Sequence, residues 1–223
     1  MENELQLEIT SDGSYTLFVP PLNEHYHSIN GAIQESNHVY IDAGLLKSHQ
    51  KNIYVLEIGF GTGLNAYLTY KAAQKHELNI QYTTFELYPL HPDIVRKLNY
   101  TTSDTPIEEH FFKELHQAPW SQMHQITPTY SLHKIEADFS LLNTEIKEKF
   151  DIIYFDAFAP DKQPEMWTQE IVDFLYAHTH LGGILTTYCA KGIVRRMLQH
   201  AGYTVERIPG PPGKREMLRA QRL

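Results

Sequence analysis

Three acids stand where short apolar runs end: Glu86 in "TTFELYPL", Asp138 in "KIEAD" and Asp156 in "FDIIYFDAFAP". A fourth, Glu57, precedes three alternate glycines, Gly59, Gly61 and Gly63, in "VLEIGFGTGLNA". Carboxylates accept hydrogen bonds and attract cations. Glycines bare the backbone where a ligand must come close. A phosphate loop would require Gly-Lys-Ser/Thr, yet Leu64 and Asn65 follow Gly63. A dinucleotide loop would place its third glycine at 64, where Leu64 stands.

The loop Glu57, Gly59, Phe60, Gly61, Thr62, Gly63 and Asn65 therefore suits a cationic ligand better than a pyrophosphate. S-adenosylmethionine, with an ammonium, a sulfonium and no phosphate, fits that description. Glu86 is placed to accept both hydroxyls of a ribose. Asp138, beside Ala137, is placed to accept an adenine amino group. An NAD-binding reading stays open at this point, because Glu86 would serve either ribose.

The elements that must position these residues alternate. "IYVLEI", "IQYTTFEL", "SLHKIEAD", "FDIIYFDAF", "ILTTYC" and "YTVERIP" read as strands, with "EMLRAQR" as a last strand. Helical spacing is read in "LNAYLTYKAAQK", "PDIVRKLNY", "IEEHFFKELHQ", "LLNTEIKEK", "MWTQEIVDFLYAHT" and "IVRRMLQHAG", with a polar loop after "IEEHFFKELHQ". Such alternation predicts a doubly wound α/β fold with the acids along one carboxyl edge. Residues 1–50 read differently. "LQLEIT" and "YTLFVP" flank the turn "SDGS" as a hairpin, followed by loop and short helix. Two regions are expected: an extension over 1–50, packed on a main body over 51–223.

Asp156 ends the most apolar strand and is followed by the stiff turn Ala157, Phe158, Ala159, Pro160. A carboxylate held there can orient an amine or accept its proton. Trp167 reads as core in preference to a stacking platform. Cys189, the single cysteine, reads as core in preference to a nucleophile, and no intrachain disulfide is possible. Thirteen histidines show no metal-ligand spacing, so no metal is expected. "GPPGKREML" brings Lys214 and Arg215 together with Arg195 and Arg196 as a candidate phosphate-holding patch. The formal net charge of −8 makes any nucleic-acid binding depend on such a local patch. No apolar run is long enough for a membrane span, and the polar N-terminus is unlike a signal peptide, so a cytoplasmic location is expected.

The strings "LEIGFGTGLN", "FELYPL", "FDAFAPDKQPEMWTQE", "GGILTTYCAKGIVRRMLQHAGY" and "GPPGKREML" resemble the family that completes 5-methylaminomethyl-(2-thio)uridine at the tRNA wobble position. That is the methyltransferase of the MnmC type, where it is fused to an oxidase, or of the stand-alone MnmD type. The chain ends just past "KREML", which is expected of the stand-alone type. The resemblance implies a class I methyltransferase fold with a seven-stranded, mostly parallel sheet whose last strand is antiparallel. It implies S-adenosylmethionine as donor, and as acceptor the primary amine of 5-aminomethyluridine in the tRNA anticodon loop. Glu57, Gly59, Gly61 and Gly63 match the donor loop, Glu86 the ribose ligand, Asp138 the adenine-side acid and Asp156 the aspartate beside the amine. Lys214, Arg215 and Glu216 match the C-terminal element, and Ser28, Gly31 and Glu35 the N-terminal segment that shapes the site. Tyr88, Phe158 and Trp167 are candidates for the wall of a base pocket. Leu87 stands where the family commonly has lysine, and Ala157 where it has glycine. Two other readings share the donor residues: a small-molecule amine methyltransferase, and a non-catalytic adenosine-binding partner in tRNA modification.

Overall fold

The computed structural model describes residues 5–102, 104–142 and 146–223. The chain opens with a small antiparallel sheet of β1 (Gln6–Ile9), β2 (Tyr15–Val19) and β3 (Glu24–His25), in the order β1-β2-β3. The expected hairpin turn is present, and Gly13 takes its left-handed position at φ 84°. Pro20 follows the last residue of β2, where its missing N–H ends the pairing. Then come α1 (Ala32–Ser36), a π-helical turn (Asn37–Asp42) and a 3-10 turn (Leu45–Lys47). The π-helical turn packs on both the main sheet and its first helix.

The main body runs β4 (Asn52–Ile58), α2 (Leu64–His76), β5 (Asn79–Glu86), α3 (Pro92–Val95), α4 (Pro106–Gln117), β6 (Met123–Thr127), β7 (Tyr130–Glu136), β8 (Phe150–Phe155), α5 (Gln169–Ala177), β9 (Thr179–Thr187), α6 (Gly192–Ala201), β10 (Thr204–Pro209) and β11 (Glu216–Gln221). Its sheet has the order β10-β11-β9-β8-β4-β5-β7-β6. Strands β7, β5, β4, β8 and β9 pair in parallel, whereas β11 is antiparallel to both β9 and β10. These are the seven expected strands, with the last one reversed.

An eighth strand, β6, lies antiparallel on β7 where a polar loop was expected. Its residues are half-buried or exposed, so it lacks the apolar run that marks the inner strands. Two further elements differ from the sequence reading. The helix over "PDIVRKLNY" stops at Val95. Of the helix expected over "LLNTEIKEK", residues 143–145 lie outside the described residues, and residues 146–149 are not helical.

The inner strands are buried on both faces, which explains their unbroken apolar sequence. In β8, Ile152 and Tyr154 join a cluster with α2 and α4, while Ile153 and Phe155 join the opposite cluster with α5 and α6. Helix α4 begins with a capping box between Thr105 and Glu108 and buries Phe111, Phe112 and Leu115. Trp167 and Cys189 are both buried in the second cluster, as their composition implied. No helix among the described residues is long and apolar enough to cross a membrane.

Candidate active site

The glycine loop turns sharply over the end of the neighbouring strand, because the N–H groups of Gly59 and Phe60 both donate to the Phe85 carbonyl, at 3.0 and 3.1 Å. Gly59, Gly61 and Gly63 have φ of 94°, 50° and 73°, a region that side chains resist. Space excludes a side chain as well. A Cβ on Gly59 would lie 2.9 Å from the Asp156 carbonyl oxygen, and one on Gly61 2.9 Å from the Tyr26 ring. Leu64 then starts α2, whose first turn carries Asn65 back under the loop.

A cavity of about 620 Å³ opens beside this loop, over the carboxyl ends of β4, β5 and β8. That volume is of the size that holds a cofactor or small ligand. Among the predicted site residues, Gly59, Phe60, Gly61, Asn65, Glu86, Asp138, Asp156, Phe158, Ser28, Glu35 and Lys214 line it.

Glu86 ends β5. Its Oε2 accepts the Gly61 N–H at 2.8 Å and its Oε1 accepts the Tyr88 N–H at 2.8 Å. Burial raises its carboxyl above the usual range, against these two bonds. Each oxygen keeps a lone pair for a hydroxyl donor. Asp138 caps the 3-10 turn Phe139–Leu141, accepting from the Ser140 N–H at 2.9 Å and the Ser140 hydroxyl at 2.6 Å through Oδ1. These acids, with the bared glycine backbone, fit the hydroxyls and amino group of an adenosine.

Asp156 stands at the inner end of the cavity. The Tyr40 hydroxyl donates to its Oδ1 at 2.5 Å, and Asn65 Nδ2 donates to its Oδ2 at 2.7 Å. Burial pushes its carboxyl up to about 6, opposed by these two donors and by the charge of Lys214. Burial and the Asp156 charge both raise the Tyr40 phenol, so it stays a donor.

Lys214 closes the same end. Its Nζ donates to Glu35 Oε1 at 2.7 Å and lies 3.8 Å from the centre of the Tyr188 ring. The other Glu35 oxygen accepts the Ser28 N–H at 2.7 Å. The Tyr188 hydroxyl donates to the Ala157 carbonyl at 2.8 Å. One ion pair thus ties the N-terminal segment, the C-terminal turn and the loop after β8 around Asp156.

The remaining predicted residues lie outside the cavity lining, for identifiable reasons. Glu57 is fully buried within β4 and accepts from the Thr84 hydroxyl at 2.8 Å, so it does not face a ligand. Thr62 is buried against His27, whose Nε2 lies 2.7 Å from its hydroxyl, and Gly63 packs against His116. Ala137 donates its N–H to the Glu86 carbonyl and packs into the core. Gly31 packs against Asp12. Pro160 belongs to the turn closed by the Lys162 N–H on the Ala159 carbonyl. Arg195 and Arg196 lie on α6, which packs against α5 and β10. Arg215 is exposed, and Glu216 pairs with Arg207 at 3.6 Å. Tyr88 and Phe158 line the cavity, whereas Trp167 is buried and donates its indole N–H to the Phe158 carbonyl at 2.7 Å.

Sequence reasoning missed Tyr26, His27, Tyr40, Lys162 and Tyr188. Tyr26 covers Gly61 and meets Phe158 edge-on at 5.3 Å. Burial lowers His27 to about 4, so it is neutral. A polar residue in a segment without clear periodicity was the available signal for Tyr26 and His27. Nothing local marked Tyr40, because its partner lies 116 residues away.

A family model described as S-adenosyl-L-methionine-dependent methyltransferase matches residues 105–223. The protein called tRNA 5-methylaminomethyl-2-thiouridine biosynthesis bifunctional protein MnmC from Pseudomonas putida (strain W619) is 29% identical over 210 residues, covering 86% of this chain and 31% of that protein. Its namesake from Leptospira borgpetersenii serovar Hardjo-bovis (strain JB197) is 30% identical over 204 residues, with the same two coverages of 86% and 31%. The chain therefore spans about a third of the length of the curated relatives it matches. The crystal structure of MnmC2 from Aquifex aeolicus superposes with a TM-score of 0.80 at 26% identity, covering 97% of this chain and 70% of that one. Spermidine synthase from Thermotoga maritima shares the fold, with a TM-score of 0.54 at 15% identity over 98% of this chain and 72% of that one. S-adenosylmethionine is the cofactor that the family match and the groove beside Glu86 have in common. With more than half of its length matched by the family model, the chain belongs to the S-adenosyl-L-methionine-dependent methyltransferases.

Proposed function

We propose that the chain methylates the primary amine of 5-aminomethyl-(2-thio)uridine at the wobble position of tRNA, giving 5-methylaminomethyl-(2-thio)uridine. The similarity to the MnmC proteins and to MnmC2 supports this reading. The observation that carries it is the placement of Asp156, a carboxylate oriented by Tyr40 and Asn65 at the inner end of the cavity. A carboxylate held from both sides can accept an N–H of an amine acceptor and so aim its lone pair.

When bound, S-adenosylmethionine supplies an already activated methyl group, so the protein's task is alignment and exclusion of water. Glu86 and Asp138, with the bared Gly59 and Gly61, would hold the adenosine part of that donor. Asp156 accepts an N–H of the amine and so fixes the direction of the nitrogen lone pair. With its carboxyl raised to about 6, Asp156 is ionised at neutral pH and is a stronger acceptor than an ordinary aspartate. The carboxylate by itself favours an ammonium, which cannot attack. Of the two charges beside Asp156, Glu35 raises its carboxyl more than Lys214 lowers it, so their ion pair adds no net positive field against the ammonium.

The described part of the N-terminal extension, residues 5–50, caps the cavity through Tyr26, Ser28 and Glu35. Phe158 and the exposed Tyr88 form the wall against which an unstacked base is held. Phosphate contacts fall to Lys162 at the rim and to exposed Arg215, because Lys214 is committed to Glu35. The reaction takes place where tRNA is, in the cytoplasm.

The test is a comparison of acceptors. tRNA carrying 5-aminomethyluridine should accept methyl at low concentration, and free polyamines or the free nucleoside should be poor. Efficient transfer to a small amine, with tRNA inert, would replace the acceptor while leaving the donor site intact.

A further inference from the structure

Lys134 on β7 is 1% exposed and lies outside the cavity lining. A buried cation is costly unless it is paired. Among the described residues no carboxylate pairs with it, and its Nζ makes one hydrogen bond, donating to the His116 carbonyl at 2.9 Å. That carbonyl belongs to the last turn of α4, where a helix leaves its acceptors unpaired and its dipole favours a cation. The ammonium otherwise meets aromatic rings. It lies 4.6 Å from the centre of Trp120 and 5.5 Å from that of Phe60. Both distances are within the range of a cation–π attraction, which is strongest where water is excluded.

The same cluster grips the glycine loop at two points. Phe60, between Gly59 and Gly61, meets the His116 ring edge-on at 5.4 Å and the Trp120 ring edge-on at 6.0 Å. Thr62, between Gly61 and Gly63, accepts from His116 Nε2 at 3.1 Å through its carbonyl. A carbonyl only accepts, so that nitrogen carries a proton. Gly63 closes on the cluster as well, since a Cβ there would lie 2.9 Å from His116 Nε2 and 3.1 Å from Phe60 Cζ. Glycines leave a loop free to take many shapes, so its shape must be imposed by the residues between them.

We propose that Lys134 is a positioning residue for the donor: its buried ammonium joins the end of α4, Trp120 and Phe60 into one cluster that holds Phe60 and Thr62, and with them the glycine loop, in the shape that receives S-adenosylmethionine. An apolar side chain would fill the space without the cost of burying a charge. The charge attracts the helix carbonyl and both rings together, which an apolar side chain does not. Such preorganisation shows in affinity, because ordering a loop during binding subtracts from it.

This inference rests on the glycine loop receiving the donor, and its first test needs no acceptor. Lys134→Met keeps the length of the side chain and removes the charge. Calorimetric titration should show S-adenosylmethionine binding about tenfold weaker. In methyl transfer, KM for the donor should rise by a similar factor, with kcat at saturating donor within about twofold of wild type. Lys134→Arg keeps a cation and should recover part of the affinity. Unchanged donor affinity in folded Lys134→Met overturns the proposal. So does a fall in kcat with donor KM unchanged, or an equal loss in the two variants, which would assign the effect to packing.

Wild-type protein carrying lysine labelled with 13C at Cε serves if the variants fail to fold. The Lys134 signal, shifted by the currents of two rings, should move on saturation with S-adenosylmethionine. A signal that stays in place while the donor binds overturns the proposal. Gly61→Ala tests the loop itself. Donor binding weakened by Gly61→Ala and untouched by Lys134→Met overturns this inference alone, whereas binding untouched by both overturns the donor-loop reading with it.

Discussion

Tyr40 and Asp156 lie 116 residues apart in the chain, and the Tyr40 hydroxyl donates to Asp156 Oδ1 at 2.5 Å. The π-helical turn that carries Tyr40 lies against the main sheet, so its ring meets Tyr154 at a tilt with centroids 5.1 Å apart, and its hydroxyl reaches the strand end. This bond stabilises the carboxylate form. Tyr40→Phe removes it and should raise the Asp156 carboxyl beyond about 6. The acid limb of methyl transfer should move up with it, and the rate at neutral pH should fall about tenfold. A pH–rate profile checks this. An unchanged profile would separate Tyr40 from the chemistry.

Asp156 also links stability to pH, with a definite sign. Burial raises its folded carboxyl to about 6 from the ordinary 3.8 of an exposed aspartate, so between these the folded protein holds a proton that the unfolded chain has lost. The stabilisation is fully present below about 3.8 and is lost as pH rises through about 6. Asp156→Asn has no such dependence. Its stability relative to wild type should therefore improve from pH 4 to pH 8 by on the order of 2–3 kcal/mol, while transfer is lost. Denaturant melts at the two pH values measure the difference.

The Glu35–Lys214 pair joins the two ends of the described chain. Glu35 is buried and Lys214 is partly exposed, with side-chain exposures of 9% and 33%. Removing only Lys214 strands a buried carboxylate. Lys214→Met should therefore destabilise more than the double variant Glu35→Gln/Lys214→Met, with a coupling of about 1–3 kcal/mol. Additive effects in a double-mutant cycle would show that the pair does not hold the site closed.

Gly61 joins φ of 50° to a close approach by the Tyr26 ring. Gly61→Ala should weaken binding of S-adenosylmethionine about tenfold or more, because the ring that covers the loop must move and the turn is strained. Glu86→Gln should weaken it as well, through loss of charge-assisted acceptors. Calorimetric titration of the donor reads both effects.

The parallel sheet and its carboxyl edge were legible because the inner strands are buried on both faces and leave unbroken apolar runs. Strand β6 was not, because its residues are half-exposed and it pairs only at the edge. Glu86, Asp138 and Asp156 were legible as cavity residues because each ends such a run. Glu57 was misplaced because spacing cannot tell which way a strand residue points, and its register opposite Thr84 turns it inward. Tyr40 and Tyr188 depend on contacts distant in the chain that no local pattern encodes. Arg195 and Arg196, read from composition as part of a phosphate-holding patch, lie on α6, which packs against α5 and β10 outside the cavity lining.

The acceptor is tested most directly by transfer of a labelled methyl group from S-adenosylmethionine to tRNA that carries 5-aminomethyluridine, with the nucleosides then resolved. Label is expected in 5-methylaminomethyl-uridine, and none after Asp156→Asn, with donor binding preserved in the variant. Label in another nucleoside, or undiminished label with Asp156→Asn, would contradict that expectation.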